Sequence, residues 1–286
     1  MGDFLRSRRA RIQPEELGLP SHGRRRVQGL RREEVAQLAG VSVDYYIRLE
    51  QGRGASASDA VLDAVARVLR LDEVEQAHLR DLTRPARGEK AGERSVRGRQ
   101  QVRPGLQLLL DMMDGVPAFV LGRRMDVLAW NALGDALLAF SAQPAEQRNA
   151  ARSVFLDPGS REFYPQWEAV AAETVAFLRL DAGRYPEDRR LSALVGELAV
   201  RSEEFRRLWA DHQVKDKTHG RKLLRHGLVG ELDFGYETLA VAGAADQMLV
   251  TYTAPAGSPT AQKLALLASW TADGTAVAAP DARFTG

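Results

Sequence analysis

The chain has 286 residues, 44% of them hydrophobic and 27% charged, with a formal net charge of +2 and no cysteine. Such a composition excludes a disordered chain, disulfides and thiolate metal sites, and no apolar run reaches the about eighteen residues of a membrane span. The small net charge hides an asymmetry: the stretch up to Gly105 is basic and the remainder acidic, so the front end is the part suited to a polyanion.

The N-terminal MGDFLRSRRARIQ lacks the apolar core of a signal peptide, and a cytoplasmic location is expected. Residues 1–82 read as short helices. Leu30–Ala39 is an amphipathic pair of turns stopped by Gly40, and Ser42 caps a helix running to about Gln51. Ser58-Asp59 opens another, with Val61, Leu62, Val65, Val68 and Leu69 at helical spacing, and Asp72 caps one through Ala77, Leu79 and Leu82. Residues 83–103 hold few large apolar side chains and many Gly, Arg and Glu, the composition of a linker.

Pro104 opens a second domain with LQLLLDMMDGV. PAFVLGRRMDVLAWN then predicts a hairpin around Gly122-Arg123-Arg124, and Asn131 caps the helix ALGDALLAF. Residues 161–180 and 187–211 carry helical spacing. Strands are expected around 221–226, 230–239 and 247–253, and Ser258-Pro259 opens a last helix through Leu264, Leu267 and Trp270. The fold class expected is an all-α helix-turn-helix domain (1–82) joined by the linker 83–103 to an α+β domain (104–271). That domain is an antiparallel sheet of up to five strands wrapped by helices, PAS-like in order, with 272–286 as a loose tail.

Small Ala36 and Ala39 let two helices cross closely, Gly40 supplies the left-handed turn, and Val41 plugs the space between them. On the second helix Tyr46 and Leu49 share the inner face with Val35 and Ala36, leaving Val43, Asp44, Ile47 and Arg48 outside. Any solvated helix has a polar outer face. This one, however, offers Arg48 for a guanine edge, Asp44 for a cytosine amine, Val43 for a thymine methyl and Tyr45 for a ring on the DNA backbone.

Arg32-Glu33-Glu34-Val35-Ala36, Ala39-Gly40-Val41-Ser42 and Leu49-Glu50-Gln51-Gly52-Arg53 resemble the helix-turn-helix of phage-repressor-like regulators, the xenobiotic-response-element family. The reading that follows is a homodimer on an inverted repeat in a double-stranded DNA operator, with Ser42, whose helix N-terminus can face a phosphate, and Arg53 helping to position each head. The resemblance implies a phosphate contact from Arg32. It also implies an ion pair between Glu50 and a base of the first helix, here Arg9. The connection PEELGLPSHGRRRVQG is longer than usual, so Arg24, Arg25 and Arg26 are either an arm reaching phosphates or the minor groove, or a solvated loop.

The segments NAARSVFLDP, WADHQV, GELDFGYETLAV and YTAPAGSPTAQKLALLASW extend the likeness over residues 1–271. Together with the front end they resemble actinobacterial regulators whose C-terminal half is the ligand-binding domain named after MmyB and MltR. That resemblance implies an apolar cavity for a fatty acid or similar small apolar ligand, with no other cofactor. One departure is Gly227 after Leu224-Arg225-His226, where the family carries proline. Candidate lining residues are Phe119, Leu121, Leu128, Trp130, Phe155, Trp209 and Tyr252, with Tyr164, His212 and Arg161 as candidate partners of a polar head. Each aromatic is also ordinary core, and His212 also reads as a helix-end cap.

No motif of hydrolase, kinase, dinucleotide-binding or zinc-protease type is present, so no enzyme is expected. His212, His219 and His226 recur every seven residues, a spacing that does not by itself make a metal site, and none is expected. The alternative to a sensor is a body that serves only dimerisation or contact with a protein partner.

Overall fold

The computed structural model describes residues 1–19, 29–53, 57–83, 100–211, 218–244 and 246–272. The chain divides into two compact units. The first comprises Met1–Arg94, Val175–Ser192 and Arg206–Asp216; the second comprises Ser95–Thr174, Ala193–Phe205 and Lys217–Gly286.

In the first unit the front end is helical: α1 (Gly2–Arg11), α2 (Arg32–Ala39), α3 (Val43–Glu50), α4 (Asp59–Val68) and α5 (Glu73–Thr83). The ends of these helices follow from single residues. Gly40 takes φ +69°, and its N–H reaches back to the carbonyls of Ala36 and Gln37, which ends α2. Ser42 Oγ accepts from the Tyr45 N–H at 3.1 Å, and Ser58 Oγ accepts from the Val61 N–H, so α3 and α4 each begin on a serine cap. Glu34 closes the start of α2 by accepting from the Arg31 N–H at 2.7 Å. Leu5, Val35, Tyr46, Leu49, Val65 and Leu79 pack into one apolar cluster, and Leu180 is buried with them.

Leu180 lies on α10 (Trp167–Arg184), the longest helix among the described residues. Val170, Ala171, Val175, Ala176, Leu178 and Leu180 are all buried. They occupy more than one side of the helix. Residues of α10 up to Thr174 belong to the second unit and those from Val175 to the first.

Each of the two later stretches with helical spacing holds two helices. The stretch 161–180 is α9 (Ser160–Phe163) followed by α10, with Tyr164 extended at the break. Pro165 follows Tyr164, and a residue before proline is pushed out of the helical region. The stretch 187–211 is α11 (Arg189–Arg201) and α12 (Glu203–Ala210), separated at Ser202, whose Oγ accepts from the Phe205 N–H.

The second unit holds β1 (Ala118–Leu121), β2 (Val127–Trp130), β3 (His219–His226), β4 (Gly230–Ala240) and β5 (Met248–Thr253) in one sheet. Their order is β2-β1-β5-β4-β3, and every pairing is antiparallel. The hairpin and three later strands expected from the pattern thus form one five-stranded sheet. Alternation along β1 divides its side chains: Phe119 and Leu121 enter one cluster with Phe234 and Tyr252, whereas Ala118 and Val120 enter another with Leu106 and Leu110. Leu106 and Leu110 come from α6 (Pro104–Asp111), so that helix covers the second face.

Helices α7 (Ala132–Leu138), α8 (Ala150–Leu156) and α13 (Pro259–Ala272) complete the unit. Two buried asparagines fix the first two. Asn131 Oδ1 accepts from the N–H groups of Gly134 and Ala118, while its Nδ2 donates to the carbonyls of Met113 and Val116. Asn149 caps α8 and donates to the Arg124 carbonyl, tying the β1–β2 turn to the helix. No helix among the described residues is long and apolar enough to cross a membrane.

Candidate nucleic-acid interface and ligand cavity

The outward side of α3 carries the sequence-derived readers. Ser42, Asp44 and Arg48 are exposed, and Val43, Tyr45 and Ile47 are half-buried. Tyr46 and Leu49 point inward and are fully buried. Arg53, just past the helix, is exposed. Arg24, Arg25 and Arg26 lie outside the described residues.

Behind this side stands an ion-pair cluster. Glu50 is only 3% exposed. Its Oε1 accepts from Arg9 Nε at 2.8 Å and its Oε2 from Arg32 Nε at 2.7 Å. Arg9 also donates to the Leu30 carbonyl at 2.6 Å. Burial disfavours the charged carboxylate, but the hydrogen bonds from Arg32 and Arg9 prevail and hold its pKa below the ordinary value. The same burial, reinforced by the Glu50 charge, pushes the Tyr46 phenol far up, so it stays protonated. Arg32 was expected at a phosphate. Its Nε is tethered to Glu50, while its side chain remains 43% exposed. The Arg32–Glu50 contact had no sequence signal of its own, because the resemblance supplied only the partner on the first helix.

The second unit carries a cavity of about 670 Å³. It lies against the sheet face that carries Phe119, Leu121 and Tyr252 and is lined also by residues of α7, α8, α9 and α10 and by Lys222 and His226 from β3. A volume of this size matches a small-molecule site. Of the ten candidate ligand residues, Phe119, Leu121, Tyr164 and Tyr252 line it. Leu128 does not, because it packs with the α6 cluster on the other face of the sheet. Trp130 packs at a tilt against Phe140 under the Arg148 guanidinium, and Phe155 is wedged edge-on between Trp167 and Phe205; neither is among the lining residues.

Trp209 departs furthest from expectation. It belongs to the first unit, where Arg179 lies over its ring at 4.2 Å and donates to its carbonyl. His212 lies outside the described residues. Arg161 is engaged with Glu204 and Glu168 and covers the Trp167 ring at 3.8 Å.

The pattern missed Met125, Phe140, Phe163, Val170, Thr174 and Lys222, all of which line the cavity. Val170 and Thr174 stand four apart on α10, a spacing that signals one helix face but not what that face meets. His226, also in the lining, is neutral: burial lowers its pKa, its Nε2 lies 3.2 Å from the Ala136 carbonyl, and its Nδ1 accepts from the Leu228 N–H. Among the described residues no three His, Asp or Glu side chains gather as they would around a metal ion.

Two family models match the chain. One, described as the MmyB-like transcription regulator ligand binding domain, covers residues 102–267; the other, a helix-turn-helix domain, covers residues 1–79. A search of curated proteins found no match.

Proposed function

The chain belongs to the family of MmyB-like transcription regulators, with a helix-turn-helix domain ahead of the ligand-binding domain, and from that premise we propose that it reads a DNA operator as a homodimer under the control of a fatty-acid-like ligand. Recognition would follow the exposed side of α3. Arg48, Asp44 and Val43 meet base edges, and Arg32, Ser42, Tyr45 and Arg53 meet the backbone. Two such heads on one inverted repeat would occupy successive major grooves about 34 Å apart. The chain would act in the cytoplasm, where its DNA is and where a chain without cysteine needs no oxidising compartment. It would use no catalytic group.

The observation that carries the ligand assignment is the cavity, walled by Phe119, Leu121, Phe140, Phe163 and Val170. The strand order β2-β1-β5-β4-β3 supports a PAS-like reading of this unit, a sheet with one face free to hold a ligand. Ligand control requires unequal affinity for two dimer arrangements, whatever the tightness of binding. Native mass spectrometry of the purified full chain tests the reading. A co-purified lipid-sized adduct, lost when Ala136→Phe fills the cavity, is the expected result. A chain that never carries or takes up such a molecule would leave a body that serves only dimerisation.

A further inference from the structure

Helix α6 (Pro104–Asp111) turns one apolar side to its own sheet and a second one to solvent. Leu106 and Leu110 are buried with Ala118 and Val120 of β1. Gly105, Leu108, Leu109 and Met112 fall at i, i+3, i+4 and i+7, the spacing of a single stripe along a helix. On that stripe Leu108, Leu109 and Met112 are all exposed, Met112 to 71%. A lone exposed apolar residue such as Val200 is ordinary, but three on one short helix form a patch.

Two features of α6 fit a neighbouring helix better than an isolated one. The first is Gly105. Its φ is not positive, and a Cβ added there would meet nothing within 4 Å. Neither the backbone nor the surrounding protein therefore requires glycine, which costs a helix about 0.5–1 kcal/mol relative to alanine. The second is the charge order. Arg103 stands at the N-cap and makes no capping bond, and Asp111 is the last helical residue, with Asp114 exposed just beyond it. Each charge lies at the end where the dipole of α6 itself disfavours it.

We infer that α6 is the dimer contact, pairing antiparallel with α6 of a second copy of this chain about a two-fold axis midway between Leu108 and Leu109. The inference rests on the homodimer reading above and names its surface. Gly105 and Met112 are each three and a half residues from that axis, or about 5 Å along the helix. Gly105 therefore lies level with the partner subunit's Met112, whose side chain fills the notch, and symmetry repeats the contact. The antiparallel order also brings Asp111 towards the N-terminus of the neighbouring α6 and Arg103 towards its C-terminus, where their charges are favourable. An unrelated apolar segment would cover the leucines but would account for neither the notch nor the reversed charges. A single helix pair is a small interface, and two heads bound to one operator would reinforce it by holding the copies at high effective concentration.

Sedimentation equilibrium of the full chain over a wide concentration range tests the pairing. Gly105→Leu fills the notch and is expected to weaken the dimer about ten-fold, with no loss in thermal unfolding because the site is open in the single chain. Adding Met112→Ala to that variant exchanges the large and small positions and is expected to restore the dimer. Cross-linking gives a second readout, since the chain has no cysteine of its own. The axis sets the two copies of residue 109 side by side, so Leu109→Cys should form a disulfide-linked dimer on mild oxidation and Val200→Cys should not. A dimer indifferent to Gly105→Leu, a loss that Met112→Ala does not repair, or equal cross-linking at both cysteines would overturn the α6 contact and leave the homodimer reading standing. A chain that stays monomeric at every concentration would sink both.

Discussion

Arg9 on the first helix and Glu50 at the end of the recognition helix are joined at 2.8 Å inside the head, 41 residues apart in the chain. With Arg32 on the other carboxylate oxygen, this contact pins α1, α2 and α3 to one another behind the side that would face DNA. Removing one member of such a buried cluster leaves an uncompensated charge. Arg9→Ala is therefore expected to destabilise the first unit by about 3–5 kcal/mol in denaturant unfolding.

Glu50 also links this cluster to pH. Its carboxyl is held below the ordinary value of 4.5, so its contribution is complete above that value and is lost as pH falls through the depressed one. Glu50→Gln is expected to be less stable than the natural chain at neutral pH, with the difference shrinking in acid. A gap that stays constant down the acid range would show that the pair carries no proton-linked stability.

His78 links the first unit to pH over a different window. It is 3% exposed, lies edge-on to Phe4 at 5.1 Å and sits against Gly183, where an added Cβ would come within 2.5 Å of the ring. Burial first, then the charges of Arg179, the N-terminus, Arg8 and Arg184, lower its pKa to about 3. The native state thus resists a proton that the unfolded chain takes up near pH 6.5. Stability is present in full above that value. It falls as pH drops towards the native pKa, by at most about 1.4 kcal/mol per pH unit. His78→Leu should flatten this slope in thermal unfolding followed between pH 7 and pH 4.

Arg48 is exposed on α3, two positions after the buried Tyr46. Arg48→Ala is expected to weaken operator binding by about 1–3 kcal/mol and to relax preference at one base pair without affecting folding. Footprinting or a selected-sequence assay reads both effects. Unchanged sequence preference would mean that another side chain is the reader.

Leu180 is buried in the same apolar cluster as Leu5, Tyr46 and Leu79. Leu180→Ala is expected to cost the first unit about 2–5 kcal/mol. A fragment ending at Arg94 should likewise unfold more readily than the same residues in the full chain, as judged by hydrogen exchange in α1 and α5.

The recognition helix was legible from residues 36 to 54 because its signals are local. A glycine that can adopt positive φ, a serine that caps four residues of chain, and 100° steps that send Tyr46 inward and Arg48 outward all act within a few ångströms. The five strands were legible for the same reason, since alternation and turn residues are properties of short windows. Which strands pair, which face of the sheet a residue such as Leu128 meets, and that Trp209 packs with Arg179 rather than around a ligand are set by contacts between residues far apart in sequence. A cavity is space left over by seven separate elements, and no one of them carries its outline. Sequence alone therefore determined the five strands, the helix-turn-helix and the family. Tertiary structure decided what each apolar side chain is buried against, because burial depends on what arrives from elsewhere in the chain, and an apolar residue has no directional chemistry with which to announce it.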